Sequence, residues 1–248
     1  MRHLDLFSGI GGFALAAKWT WGDEYENVGH SEVEAYPCKV YHRHFPESEC
    51  LGDITKIEWK EGQADIITGG FPCQPHSVAG GRNASEDERD LWGECVRALC
   101  TIRPRYALFE NVPGLLTSER GRFFNRVLAD LAASGYDAEW QTISACAVGA
   151  PHTRERVWIF ANSDQNGRIA NIGLAGWIPQ DKVPQLWKSY RTTDKRVWLT
   201  KYAGLYRDDD GIPGGLERVG PLGNAIVPQV AQVIFEAIKR FDNETPLP

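Results

Sequence analysis

The stretch Leu4-Asp5-Leu6-Phe7-Ser8-Gly9-Ile10-Gly11-Gly12 predicts a short strand that enters a helix through a glycine-rich turn. Glycines let the backbone approach a ligand closely, and the N-terminus of the following helix offers free N–H groups. Glu32 follows about 20 residues later, at the end of a second predicted strand, where a carboxylate can hold ribose hydroxyls. The combination favours a nucleotide-like cofactor, without choosing between NAD and S-adenosylmethionine. The alternative is a tight turn with a surface glutamate.

Beyond this turn, strand and helix patterns alternate over the first 160 residues or so. Strands are predicted at Leu4–Phe7, Asn27–Ser31, Ala64–Thr68, Tyr106–Phe109, Glu139–Ala145 and Arg156–Ala161. Helices are predicted at Ala14–Ala17, Glu34–His44, Asp90–Thr101 and Arg122–Ala133. This alternation predicts an α/β fold with a mostly parallel, doubly wound sheet.

The texture of the sequence changes after Ala161, where Gly, Asn, Gln, Trp and Tyr dominate and no clear period survives. A helical pattern returns at Val227–Phe241. We therefore expect a catalytic, cofactor-binding domain at 1–161, a small lobe at 162–215, and a C-terminal segment at 216–248 whose helix returns to the sheet.

Composition places the chain among ordinary globular proteins, since 42% of its 248 residues are hydrophobic and 24% are charged. No apolar run is long enough for a membrane span, and Asp5 interrupts the N-terminal run, so no signal peptide is visible. We expect a cytoplasmic protein. Nothing in the sequence demands a protein partner, so we also expect a monomer.

The six cysteines show no Cys-x2-Cys spacing, and the histidines show no His-Glu-x-x-His pattern. We therefore expect free thiols and no metal site. Buried structural roles are the expectation for every cysteine except Cys73, namely for Cys38, Cys50, Cys95, Cys100 and Cys146.

The net charge of −6 conceals an uneven distribution along the chain. Between Gln165 and Arg207 the chain carries eight basic and two acidic residues, which gives this segment +6 and leaves −12 for the rest. A polyanion would meet that segment first.

A cysteine between two prolines marks Gly69-Gly70-Phe71-Pro72-Cys73-Gln74-Pro75-His76-Ser77, directly beyond a predicted buried strand. In an open α/β sheet this edge carries the ligand site. The prolines stiffen the backbone around a thiol that, as a thiolate, can attack an electrophilic carbon. This context favours a reactive Cys73 over a buried structural one.

Charged residues follow at the ends of later strands. Glu110, in Phe109-Glu110-Asn111-Val112-Pro113, is either a partly buried acid with a raised pKa or a strand-end helix cap. Arg154 and Arg156 alternate, so both point to one face of their strand; the alternative is a pair of solvated arginines. Asp53, in Gly52-Asp53-Ile54 after a strand, is either a further cofactor contact or a cap.

Together these motifs resemble the DNA cytosine-5 methyltransferases, in which they occur in the same order. The resemblance rests on Asp5 to Gly12, Glu32, Asp53, Pro72-Cys73-Gln74, Glu110-Asn111-Val112, Arg154-Glu155-Arg156 and Gly223-Asn224-Ala225. It implies a Rossmann-like S-adenosylmethionine-dependent methyltransferase sheet with a small inserted target-recognition lobe, and methyl transfer to C5 of cytosine in duplex DNA.

The resemblance also implies roles for individual residues. In the catalytic group, Cys73 attacks C6, Glu110 holds N3, Arg156 holds O2 and Arg154 supports them. The implied cofactor contacts are Phe7, Gly9, Ile10, Gly11, Glu32, Asp53, Ile54, Pro72, Asn224 and Ala225. The implied DNA contacts are Gln74 and Ser77, with Val78–Asp90 as a closing loop, and Lys195 and Arg196 in the lobe.

Three rival interpretations remain from the sequence. An RNA-directed enzyme of the same fold would use the same thiol. A non-enzymatic DNA-binding relative would not need Cys73, Glu110, Arg154 and Arg156 together. An NAD oxidoreductase would explain the glycine turn but not Pro72-Cys73-Gln74.

Overall fold

The computed structural model of the chain describes residues 1–72, 91–150, 152–163 and 224–244. The strands of this part are β1 Arg2–Leu6, β2 Glu26–Ser31, β3 Ile66–Gly69, β4 Tyr106–Asn111, β5 Tyr136–Ser144 and β6 Glu155–Ser163. Its α-helices are α1 Gly12–Trp21, α2 Ala35–His44, α3 Trp92–Ile102, α4 Arg122–Ala133 and α5 Pro228–Glu244.

The six strands form one sheet in the order β2-β1-β3-β4-β6-β5. Neighbouring strands from β2 to β4 are parallel, whereas β6 runs antiparallel to both β4 and β5. The predicted mostly parallel α/β sheet is confirmed. Strand β6 continues two residues beyond the predicted end at Ala161, and Ser163 still pairs with Tyr136.

Both faces of the sheet are covered, so its central strands β1, β3 and β4 are almost wholly buried. Successive side chains of a strand point to opposite faces. Ile67 and Phe109 accordingly lie in the core beneath α3 and α4, while Ile66 and Leu108 lie in the core that α1 and α5 share. Helix α5, near the end of the chain, thus packs on the same face of the sheet as α1.

The structure also bears on two further predictions, one about the strand before Asp53 and one about membrane spans. Asp53 does not directly follow a strand: α2 lies between β2 and Asp53, and Cys50 makes only an isolated bridge to His30. In addition, no helix within the described ranges is long and apolar enough to cross a membrane.

Candidate active site

The carboxyl ends of the parallel strands meet along one edge of the sheet, where the chain encloses a pocket of about 470 Å³. The chain runs from β1 to β2 on one side and then returns to β3 on the other side of β1, so the strand order reverses at this edge. Open α/β sheets bind ligands where the strand order reverses. Because β6 is antiparallel, its first residues arrive at this same edge. The topology therefore gathers residues from five strands around one pocket.

The turn between β1 and α1 has an unusual backbone. Phe7, Gly9 and Gly11 have positive φ angles of 51°, 53° and 89°. Phe7, Gly9 and Ile10 line the pocket, as predicted, whereas Gly11 is not among its lining residues. A Cβ on Gly11 would lie 3.0 Å from the Tyr41 ring, so this glycine permits close approach to α2.

Glu32 lies in the pocket just beyond β2 and is fixed by three backbone N–H groups. Gly9 donates to its Oε2 at 2.9 Å, while Val33 and Glu34 donate to its Oε1 at 2.8 and 2.9 Å. The carboxylate is therefore held in place by the turn that it faces. Oε2, with one donor, can still accept a further hydrogen bond.

Asp53 is a cap, and it also lines the pocket, so the two roles that the sequence presents as alternatives are compatible. It lines the pocket beside Ile54, and it also caps a short 3₁₀ helix by accepting the Thr55 N–H at 3.0 Å. The hydrogen bonds from the Thr55 hydroxyl and N–H, with Lys56 at 3.2 Å, hold the pKa of Asp53 below its ordinary value. The carboxylate is thus charged at the mouth of the pocket.

Glu110 is buried at the other end of the pocket, with only 6% of its surface exposed. Arg156 Nε lies 2.9 Å from Glu110 Oε1, although this N–H is not directed well enough for a hydrogen bond. Burial raises the pKa of Glu110 from 4.5 to about 7, and the charges of Arg156 and Arg154 oppose that rise. A carboxyl in this state can donate and release a proton near neutral pH.

Arg154 links the segment that precedes β6 to the segment that precedes α5, and both segments line the pocket. Its Nη2 donates to the Ala225 carbonyl at 2.9 Å, and Asn224 and Ala225 line the pocket as predicted. Both arginines line the same pocket, although β6 begins at Glu155, so Arg154 precedes the strand on which Arg156 lies.

Asn111 belongs to the motif Glu110-Asn111-Val112, and the structure shows what its side chain contacts. Its Nδ2 donates to the Phe71 carbonyl at 3.0 Å, and its Oδ1 accepts the Val112 N–H at 2.8 Å. The Phe71 ring packs against Trp92, with 4.9 Å between ring centroids. Asn111 and Trp92 thereby hold the backbone that leads into Pro72, which lines the pocket.

Five predicted site residues lie outside the described residues: Cys73, Gln74, Ser77, Lys195 and Arg196. The Val78–Asp90 segment and most of the proposed lobe also lie outside them. The remaining predicted residues, apart from Gly11, all line one pocket. The pocket is also lined by residues that the sequence did not single out as site residues, namely Ser8, Gly12, Phe13, Ser31, Val33, Glu34, Pro37, Gly70, Phe71, Leu91, Asn111, Val112 and Ile226. Most of these lining residues are next to predicted site residues in the sequence. This adjacency is the one feature of the sequence that would have identified them.

The expectation that five cysteines are buried is wrong for three of them. Cys95 is buried and Cys38 is half-buried, but Cys50, Cys100 and Cys146 are exposed. Cys100 lies on α3, and its Sγ is 3.4 Å from the Ser134 hydroxyl. An exposed thiol can therefore still have a polar neighbour.

The chain is similar to known proteins of one family. The family model for C-5 cytosine-specific DNA methylases matches residues 1–203. The orphan methyltransferase M.Rho11sI of Bacillus phage rho11s is 37% identical over 163 residues, which cover 64% of this chain and 32% of that protein. The type II methyltransferase M.BanI of Aneurinibacillus aneurinilyticus is 32% identical over 229 residues, which cover 88% and 53% respectively. The chain thus spans about a third to a half of the length of these relatives.

Among solved structures, a mutant form of Spodoptera frugiperda DNMT2 is similar, with a TM-score of 0.55 and 26% identity over 66% of this chain and 50% of that one. The sheet, the pocket and the match over residues 1–203 agree with one another. The chain belongs to the C-5 cytosine-specific DNA methylase family.

Proposed function

We propose that this chain transfers a methyl group from S-adenosylmethionine to C5 of cytosine in double-stranded DNA, using the Cys73 thiolate and a base flipped out of the duplex. The observation that carries the proposal is that one pocket is lined both by Glu32 and Asp53 and by Glu110, Arg154 and Arg156. Glu32 follows β2 and Glu110 lies on β4, with β1 and β3 between them, so the two groups define two ends. The first end suits the cofactor and the second suits the base.

The residues present fit S-adenosylmethionine. Glu32 Oε2 has acceptor capacity for a ribose hydroxyl, and a Cβ on Gly9 would meet nothing within 4 Å, so the turn leaves open space. The Ser8 hydroxyl is 7% exposed as a residue and has no hydrogen-bond partner among the described residues. Phe7, Asp53 and Asn224 would complete the contacts. When bound, the cofactor supplies an electrophilic methyl group on a sulfonium.

At the opposite end, Glu110 and Arg156 would hold the cytosine ring. C5 is a weak nucleophile until a thiolate adds to C6, which places charge on the ring nitrogen N3 and on O2. Glu110 donates a proton or a strong hydrogen bond to N3, and Arg156 donates to O2, so both stabilise that charge. Loss of the C5 proton and release of Cys73 restore the aromatic ring. Reaching C6 requires the base to leave the stack.

Cys73 follows Pro72 directly, and Pro72 lines the pocket between the two ends. Asn111, through the Phe71 carbonyl, fixes the backbone that precedes it. We propose that this arrangement presents the thiol to the base.

Duplex DNA is the proposed partner, and the basic segment from Gln165 to Arg207 is proposed as its main contact. A remainder carrying −12 repels a duplex, so the contact has to be concentrated. Phosphate contacts should make affinity fall with salt, by a log–log slope of about −0.9 per neutralised phosphate. Replacing Lys195 and Arg196 with Ala should flatten this slope; an unchanged slope and an unchanged recognition site would remove both residues from the interface.

The central experiment incubates the protein and S-adenosylmethionine with random-sequence duplex DNA and, separately, with tRNA, followed by cytosine-methylation sequencing. Methylation of DNA at a defined site supports the proposal, whereas methylation of tRNA alone supports the RNA-directed rival. Cys73→Ser should abolish turnover, and Cys146→Ser should not, because Cys146 is an exposed thiol that does not line the pocket. DNA containing 5-fluorocytosine should trap a covalent adduct at Cys73. Full activity of Cys73→Ser would overturn the mechanism.

A further inference from the structure

Two thiols and an imidazole converge just beyond the end of β2, apart from the residues that line the pocket. A ring nitrogen of His30 and the sulfurs of Cys38 and Cys50 all lie within 4.8 Å of one another. The two sulfurs are 3.5 Å apart. Cys38 comes from α2, and Cys50 makes the isolated parallel bridge to His30, so the fold assembles what the spacing in the sequence does not suggest.

The hydrogen bonds around His30 fix which ring nitrogen is available. The Ser48 hydroxyl donates to Asn27 Oδ1 at 2.9 Å, so it accepts from His30 Nδ1, which also lies 2.9 Å away. Nδ1 therefore carries the proton, and Nε2 carries a lone pair. His30 is fully buried and Nε2 has no hydrogen-bond partner among the described residues.

One histidine nitrogen and two cysteine sulfurs are a donor set that zinc accepts, and Nε2 is the ring nitrogen of His30 with an available lone pair. Two sulfurs at about 2.3 Å from a tetrahedral zinc ion lie about 3.8 Å apart, close to the separation seen here, whereas a disulfide needs about 2.0 Å. The Glu32 carbonyl oxygen lies 3.6 Å from Cys38 Sγ and 4.0 Å from Cys50 Sγ. This oxygen or a water molecule can supply the fourth ligand. Cys50 is exposed, which gives an ion a route of entry.

We propose that His30, Cys38 and Cys50 bind a zinc ion. The hydrogen bond that His30 Nδ1 donates to the Ser48 hydroxyl is the kind that orients a zinc-bound histidine. The ion would join the end of β2, the first turn of α2 and the segment that leads to Asp53. Its role is structural: it would hold the backbone that presents Glu32 and Asp53 to the pocket.

The test measures metal binding without any activity assay. Metal-free, reduced protein is titrated with Co²⁺, a spectroscopic substitute for zinc, and with Zn²⁺ in a calorimeter. We expect one ion per chain, a thiolate-to-cobalt charge-transfer band and a higher unfolding temperature with zinc. Cys38→Ser and Cys50→Ser should remove the band, and Ser48→Ala should weaken zinc binding about 10–100-fold. Cys100→Ser, another exposed thiol, is the matched control and should bind like the parent.

Cys50→Ser is the decisive variant because its exposed side chain can change without disturbing the core; circular dichroism checks that it folds. Full zinc affinity in folded Cys50→Ser would overturn the proposal, as would the absence of a charge-transfer band in the reduced parent. Peptide mapping that finds a Cys38–Cys50 disulfide, in protein that binds no zinc after reduction, would make the pair a redox couple instead.

Discussion

Glu110→Gln tests the central electrostatic feature of the site through stability alone. Glu110 is buried, and burial raises its pKa from 4.5 to about 7 against the opposing charges of Arg156 and Arg154. Glutamine keeps the size and the hydrogen-bonding capacity of the neutral acid but cannot ionise. Parent and variant therefore differ in how their stability depends on pH.

The sign follows from the raised pKa. Below about pH 4.5 the carboxyl is protonated in both the folded and the unfolded chain, and its contribution to stability is complete. Between about pH 4.5 and 7 the unfolded chain ionises first, so the parent loses stability as pH rises through the folded pKa. At about 1.4 kcal/mol per pH unit, the loss levels off at about 3 kcal/mol.

The assay is urea unfolding of parent and Glu110→Gln at fixed salt from about pH 4 to about pH 8. The free energy of unfolding of the parent minus that of the variant should fall by about 3 kcal/mol over this range. Glu58→Gln, at an exposed position, serves as the control and should give a far flatter difference. A flat difference for Glu110 would refute a raised pKa, and a difference that rises with pH would show that the arginine pair outweighs burial.

Three further substitutions test other parts of the pocket. Glu32→Ala should weaken S-adenosylmethionine binding by about 1–3 kcal/mol, measured calorimetrically without DNA; an unchanged Kd would exclude this carboxylate from the cofactor site. Gly12→Ala should lower the unfolding temperature, since its Cβ would lie 2.6 Å from Ile226 Cγ1, at a cost of about 1–3 kcal/mol, and Ile226→Ala should restore it; failure of that rescue would place the clash elsewhere. Asn111→Ala should lower kcat while leaving cofactor affinity unchanged, because it frees the Phe71 carbonyl; equal turnover would mean that the loop is positioned by other contacts.

The sheet and most of the pocket could be predicted because they depend on local patterns. Apolar runs such as Ile66–Gly69 specify strands that are covered on both faces, and the glycine turn after β1 specifies where the first helix begins. The carboxyl ends of the strands define the ligand edge of such a sheet, so Glu32 and Glu110 could be assigned to one site from the sequence alone.

What could not be predicted depends on contacts between distant segments. No local pattern indicates that Arg154 donates to the Ala225 carbonyl 71 residues away. Likewise, the spacing of His30, Cys38 and Cys50 matches no metal motif, and the three meet only because Cys50 bridges to β2. Asp53 shows a third limit, since cap and pocket contact are compatible and the sequence presents them as alternatives.

The distribution of charge along the pocket explains why Glu110 is suited to the proposed chemistry. Burial alone would leave its carboxyl protonated well above neutral pH, whereas a fully formed ion pair with Arg156 would keep it ionised. Burial raises the pKa of Glu110 to about 7 while Arg156 and Arg154 oppose the rise, so proton donation and release are nearly balanced near neutral pH. Glu32 follows β2 and Arg156 lies on β6, with three strands between them, so negative charge would face the proposed cationic cofactor while the arginines would face the proposed position of the base. One pocket can therefore stabilise a sulfonium and an electron-rich ring without either set of charges cancelling the other.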